Sequence, residues 1–236
     1  MIKDIVRRYL RKLGYEVYKM PADAGLYQPL YSPWNSQAFK RYYAIAEPKT
    51  LVSPDRCYVL ERLFRQTIPV PGDIFECGVY KGGTAALLTA LLTENQSPKK
   101  LFLFDTFEGM PATDADRDLH TKGDFSDTSL EVVRAYVKGG ERCVFRKGII
   151  PDTFSGLEDT VISFCHIDVD IYKSIIDSLE FVWPRLSVGG VIVFDDYGFP
   201  SCPGALQAVD EFFQNKSAVP LCLHTGQAIV FKGLSS

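Results

Sequence analysis

Residues 161–197 read VISFCHIDVDIYKSIIDSLEFVWPRLSVGGVIVFDDY, and their pattern decides the fold class. An apolar run rich in β-branched and aromatic residues stops at two spaced carboxylates, Asp168 and Asp170. A helical stretch follows, with Ile175, Ile176, Leu179 and Val182 at three- and four-residue intervals. Gly189 and Gly190 then open a second apolar run, which stops at Asp195, Asp196 and Tyr197. Strand, helix, strand in this spacing is the unit of a parallel sheet, whose strands are apolar on both faces because helices cover both. The two adjacent carboxylates repel each other, so either they lie in a solvated turn or a positive group sits beside them.

The same alternation extends outward in both directions. Upstream, DIFECGV (73–79) reads as a strand, TAALLTALLTE (84–94) as a helix and KLFLFDTF (100–107) as a strand. DTSLEVVRAYVKG (127–139) reads as a helix capped by Asp127 or Thr128 and stopped by Gly139, and RCVFRKG (142–148) as a third strand. Residues 161–170 and 189–197 are then the fourth and fifth strands, with a helix over 171–186 between them. ALQAVDEFFQN (205–215) is helical, and GQAIVFKG (226–233) is a last apolar segment. Before the first strand, DRCYVLERLFRQT (55–67) is an amphipathic helix. At the start, Ile2, Ile5, Val6, Tyr9, Leu10 and Leu13 recur at helical spacing among basic residues up to Gly14. That helix suits packing on the domain or on a second copy in a homodimer, with membrane-surface contact as the weaker alternative. Residues 20–50, rich in Pro, Tyr, Trp and Asn, read as an irregular cap. The chain thus divides into a segment 1–50 and an α/β domain 51–236.

Bulk properties narrow the function classes. The 236 residues are 46% hydrophobic and 23% charged with a formal net charge of −3, which gives no reason to expect nucleic acid. Six cysteines without a C-x-x-C pair read as buried free thiols in a reducing compartment rather than disulfides or zinc ligands. No apolar run reaches the roughly 18 to 20 residues that span a membrane, and the N-terminus lacks the apolar stretch of a signal peptide. A cytoplasmic protein is expected.

In a doubly wound sheet, ligands bind beyond the carboxyl ends of the strands. The first such end is ECGVYKGGTA, with Glu76, Gly78, Gly82, Gly83 and Thr84. Its glycines permit close backbone approach and Thr84 opens a helix whose amides attract an anion, although a purely structural turn has the same composition. The G-x-x-x-G-G spacing is not that of dinucleotide sites, and Glu76 suits a cationic amino group better than a pyrophosphate. Asp105, ending the second strand, is placed for both hydroxyls of a ribose, or else caps the following loop. An amino-acid end together with a ribose describes S-adenosylmethionine better than NAD. The fourth and fifth strands are expected to be neighbours, bringing Asp168, Asp195 and Asp196 into one volume. Such a group cannot all stay ionised without a cation, and carboxylate-only sites suit Mg2+ or another hard divalent ion. Asp170 either joins them or caps the next helix.

GDIFECGVYKGGTA, FLFDTFEGMP, DTSLEVV, the span from HIDVD to DDYG (166–198), and GALQAVDEFF together resemble the macrocin O-methyltransferase family. The resemblance covers roughly residues 50–232. It implies a Rossmann-like methyltransferase fold whose seven-stranded, mostly parallel sheet ends in an antiparallel strand. It also implies S-adenosylmethionine as methyl donor, a sugar or glycan hydroxyl as acceptor, and Mg2+ held by Asp168, Asp195 and Asp196. By position it places Glu76, Gly78, Tyr80, Gly82 and Thr84 at the cofactor's methionine end, Asp105 at its ribose, and Ser53 in a loop over it. Asp168 and His120 are the candidate bases, His120 being equally readable as an exposed loop residue. Residues before 50 and the loop 108–126 depart from the family, which leaves a catechol or phenol acceptor as the alternative. From other classes, a nicotinamide-dependent oxidoreductase or a non-catalytic methyltransferase-like module shares the sheet but does not explain the paired carboxylates.

Overall fold

The computed structural model describes Val6, residues 9–13 and residues 32–233 of the chain. The chain divides into two compact units, Met1–Tyr31 and Ser32–Ser236. In the first, residues 9–12 are helical; the rest of the expected N-terminal helix and the cap residues before 32 lie outside the described residues.

The second unit is a sheet covered on both faces. Its elements are α1 (Gln37–Ala46), α2 (Pro54–Thr67), β1 (Asp73–Cys77), α3 (Gly83–Glu94), β2 (Leu101–Asp105), α4 (Leu130–Val137) and β3 (Cys143–Lys147). There follow β4 (Ile162–Ile167), α5 (Tyr172–Arg185), β5 (Leu186–Phe194), α6 (Pro203–Phe213), β6 (Leu221–Cys222) and β7 (Ala228–Phe231). The strand order is β3-β2-β1-β4-β5-β7-β6. The first five strands are mutually parallel and β7 runs antiparallel to β5, as the resemblance implies. Strands alternate their apolar side chains between two cores. Ile74, Leu103, Phe164 and Val193 meet α1 to α4 on one face. Phe75, Phe104, Cys165 and Phe194 meet α5 and α6 on the other.

Three local expectations need correction. Residues 36–46 are not irregular: Gln37–Ala46 is a helix whose Phe39, Tyr42 and Ala46 are buried, and Gly83 packs so closely on it that a Cβ would lie 2.6 Å from the Ala46 carbonyl oxygen. The α4 cap is neither Asp127 nor Thr128 but Ser129, whose side chain accepts from the Val132 amide. Asp127 instead accepts from the Tyr80 hydroxyl and pairs with Lys81. Asp170 does not cap α5, whose N-cap residue is Ile171 and which has no side-chain cap from it. Asp170 adopts a left-handed φ of 58°, and Asp118 accepts from the Tyr172 amide at 2.8 Å instead.

Candidate functional site

The ladder registers build the site. Phe104 pairs with Cys77, Cys77 with Ile167, and Ile167 with Phe194, so the next residue on each strand is Asp105, Gly78, Asp168 and Asp195 in one row. Backbone bonds continue the row: Gly78 N to Phe104 O at 2.9 Å, Asp168 N to Cys77 O at 2.8 Å, Asp195 N to Ile167 O at 2.9 Å. On the antiparallel side Phe194 pairs with Ala228, which sets Gln227 beside Asp195, and its amide donates to Asp195 Oδ1 at 2.8 Å. Gly78 is the hinge of this row. Its φ is +87°, and a Cβ there would lie 1.8 Å from the Asp168 carbonyl oxygen.

Beyond these tips lies a cavity of about 280 Å3. Its wall includes Gly78, Tyr80, Thr84, Asp105, His120, Asp168, Asp170, Asp195 and Asp196, so most of the sequence candidates converge there. Thr84 sits in the first turn of α3, whose free amides and dipole attract a carboxylate. His120 is no exposed loop residue. Its Nδ1 lies 3.1 Å from Asp124 Oδ2, and its ring packs by Phe125 with a centroid separation of 5.5 Å. Asp124 also accepts from the Thr121 amide, and these bonds hold its carboxyl below the usual range.

Four candidates stand differently from expectation. Glu76 is fully buried behind the wall, because the register pairs it with His166 and both side chains share a sheet face. The two lie 3.2 Å apart (Oε1 to Nδ1), and Glu76 Oε2 has no partner. Gly82 is also off the wall; its φ of +85° opens α3 and it packs on Val133 and Val137. Ser53 is off the wall too, donating to Asp55 and accepting from Arg56 Nε at 3.1 Å, while its neighbours Lys49, Thr50, Leu51 and Val52 do line the cavity. Asp105 lines the cavity, but its carboxylate accepts from the amides of Val79, Tyr80 and Phe107 at 2.7, 2.8 and 2.7 Å. With three of about four acceptor positions filled, it braces the glycine turn and leaves about one acceptor position towards the cavity.

Sequence reasoning missed Arg56, His166 and Gln227. Arg56, from the first turns of α2, pairs with Asp195, donates to the Leu51 carbonyl at 2.9 Å and lies over the Phe199 ring at 4.8 Å. His166 is fully buried between Glu76 and Asp195, its Nε2 3.5 Å from Asp195 Oδ1, an ion-pair distance. Burial opposes its charge, but the carboxylates of Asp195 and Glu76 outweigh that and hold the imidazole well above its ordinary value. Burial likewise works to raise Asp195, yet His166, Arg56 and Gln227 win and keep it low. The other acids lack such cover. Burial, then the Asp195 charge, lifts Asp168 well above the carboxylate range; burial, then Asp170 and Asp168, does the same to Asp196. Asp196 Oδ2 accepts from the Asp170 amide at 3.0 Å, and among the described residues no hydrogen bond reaches the Asp168 side chain. Donor atoms of Asp168, Asp195 and His166 lie within 4.8 Å of one another, and the half-buried Asp168 carboxylate beside Asp195 suits a hard cation, since carboxylate oxygens of like charge are what Mg2+ takes.

With this geometry in place, the comparisons are decisive about family. The family model described as Macrocin-O-methyltransferase (TylF) matches residues 47–225. The chain belongs to this family. Among curated proteins it is 34% identical over 149 residues to the 8-demethyl-8-(2,3-dimethoxy-alpha-L-rhamnosyl)-tetracenomycin-C 4'-O-methyltransferase of Streptomyces olivaceus, covering 58% of this chain and 57% of that protein. It is 31% identical to the demethyldecarbamoylnovobiocin O-methyltransferase of Streptomyces niveus, covering 61% and 58%. The aligned part thus spans under two thirds of these relatives. Among solved structures it is similar to the O-methyltransferase NovP, with a TM-score of 0.71, 25% identity and coverage of 78% and 82%. The fold is also shared with an O-methyltransferase from Bacillus cereus in complex with SAH, with a TM-score of 0.55, 15% identity and coverage of 98% and 100%. Among the described residues no helix is long and apolar enough to cross a membrane.

Proposed function

We propose that this chain moves the methyl group of S-adenosylmethionine to a hydroxyl of a sugar or glycosylated natural product, with Mg2+ or a similar hard ion at its carboxylates. The observation that carries the reading is the single cavity whose wall holds both the turn at 78–80 with Thr84 and the carboxylates Asp168, Asp195 and Asp196. The family and the names of the relatives support the reaction class and the sugar acceptor.

The turn amides and the α3 N-terminus would take the carboxylate of the donor's methionine end, and Tyr80 would close over it. Asp105 keeps that turn in shape from below. An aliphatic hydroxyl is protonated at neutral pH and attacks a sulfonium carbon poorly, so a proton must leave as the carbon–oxygen bond forms and the carbon–sulfur bond breaks. His120 is the better-placed base of the two candidates: Asp124 engages Nδ1, which leaves Nε2 as the acceptor facing the cavity. Asp168 would serve as a ligand, which leaves His120 to take the proton. Asp168, Asp195 and Asp196 would hold the ion, which when bound would supply electrostatic stabilisation of a developing alkoxide. Holding donor and acceptor in line supplies much of the remaining acceleration.

The test is methyl transfer from labelled S-adenosylmethionine to a panel of deoxysugar, glycan and catechol acceptors, with and without EDTA. Transfer to a sugar that stops with EDTA and returns with Mg2+ is expected. Transfer unaffected by EDTA would remove the ion from the reading, and transfer confined to catechols would replace the acceptor class.

A further inference from the structure

Beside the carboxylate set, the cavity wall carries a second, chemically different cluster. His120 comes from the loop after β2, Asp170 from the turn between β4 and α5, and Cys202 from the residue before α6. Cys202 Sγ lies 3.7 Å from His120 Nε2 and 3.5 Å from Asp170 Oδ1, and His120 Nε2 lies 3.7 Å from Asp170 Oδ1. One donor atom from each of the three falls within 4.8 Å of the other two. From this triangle we propose that the chain has a site for a borderline divalent cation, Zn2+ foremost, held by His120 Nε2, Asp170 Oδ1 and Cys202 Sγ.

The dimensions fit. A tetrahedral zinc with Zn–S of about 2.3 Å and Zn–N or Zn–O of about 2.0–2.1 Å sets its ligand atoms about 3.3–3.6 Å apart. The observed edges exceed that by a few tenths of an ångström at most. The orientation fits independently. A zinc-binding imidazole hands its other ring nitrogen to a carboxylate, which fixes tautomer and angle. His120 already does this through Asp124, and Thr121 anchors Asp124 in turn with its amide at 3.0 Å and its hydroxyl at 3.2 Å. The donor set separates the two sites. Thiolate and imidazole select zinc or cobalt, whereas Asp168, Asp195 and Asp196 offer only the hard oxygens that magnesium takes. The left-handed backbone at Asp170 turns its side chain towards Cys202 while its amide stays on Asp196. Three protein ligands leave a fourth position open to the cavity.

Loading costs one proton. Burial holds the Cys202 thiol protonated, so the ion must displace that proton to solvent as the sulfur–metal bond forms. A filled site ties up the Nε2 that the proposed function uses as a base, so zinc would act as an inhibitor. That consequence rests on the reading above; the binding does not.

The experiment titrates the whole chain with Co2+ in excess Mg2+, which keeps the hard site filled, and records the thiolate-to-cobalt charge-transfer absorption. One equivalent per chain is expected to give the band, and Zn2+ to displace it. Cys202→Ser should abolish the band, and His120→Asn or Asp124→Asn should weaken cobalt affinity about tenfold or more. Cys222→Ser, which removes the exposed cysteine, should leave it intact. Circular dichroism melts check that each variant is folded, and His120→Asn decides the matter should Cys202→Ser not fold. No band at stoichiometric cobalt, or a band that survives Cys202→Ser or His120→Asn unchanged, overturns the site. Methyl transfer plays no part in this readout, so it can fail while the proposed function stands.

Discussion

Gly78→Ala separates backbone strain from steric contact at the centre of the row of strand tips. With φ at +87°, any L-residue there pays the left-handed penalty of about 1–2 kcal/mol. Its Cβ would also stand 1.8 Å from the Asp168 carbonyl oxygen, about half an ordinary contact distance, so β1 and β4 must part. Forcing an extra carbon into a packed position costs about 1–3 kcal/mol more. The sum is about 2–5 kcal/mol, centred near 3.5. At about 2–4 °C per kcal/mol for a domain of this size, the melting temperature should fall by about 10 °C. Gly156→Ala supplies the comparison: φ is +80°, but nothing lies within 4 Å of the added carbon. It pays only the first penalty, for a fall of about 4 °C. Scanning calorimetry of the wild type and the two variants reads both numbers. Equal falls would show that β1 and β4 are not in contact at Gly78 and would refute the row of tips on which the site depends.

Asp196→Asn should lower kcat by about a hundredfold or more while S-adenosylmethionine still raises the melting temperature, because the change removes a cation ligand and leaves the turn at 78–80 intact; near-wild-type turnover in metal-depleted buffer would contradict it. His120→Asn should lower kcat by about 10²- to 10⁴-fold with little change in KM for the acceptor, and Asp124→Asn should follow it less severely; a rise in KM alone would make His120 a binding residue. His166→Leu strips the fully buried Glu76 of its partner and should cost about 3–5 kcal/mol. Adding Glu76→Leu should recover most of that, and a double-mutant cycle without coupling would show that the two side chains do not share a charge.

Which parts of this were legible in the sequence follows from what a one-dimensional pattern records. The apolar runs that form β1, β4 and β5 and the acids that end them were readable because burial on both faces and exit into a cavity leave opposite marks on composition. Helix boundaries were less so. Residues 37–46 do carry an amphipathic stripe, Phe39, Tyr42 and Ala46 at helical spacing, but Pro, Trp and Asn just before it hid the helix from a reading by composition. The short β6 left almost no mark, since its two residues are exposed and only β7 makes a strand of them.

The site divides along the same line. Asp168, Asp195 and Asp196 were found because the first follows the end of β4 and the other two the end of β5, where a local signal suffices. Glu76 and Asp105 were placed correctly along the chain, but what each side chain touches depends on the strand beside it. The β1–β4 register alone puts Glu76 against His166, and the return of the turn over β2 alone brings three amides onto Asp105. Arg56 and Gln227 are the extreme case: one arrives from α2 and the other from the start of the antiparallel β7, 139 and 32 positions along the chain from the Asp195 they meet. A sequence signal for them existed only conditionally. Once β5 and β7 are paired with Phe194 opposite Ala228, Gln227 must lie beside Asp195, and a buried carboxylate there demands a donor. Register, rather than motif, is therefore the level at which the charge balance of this cavity is written.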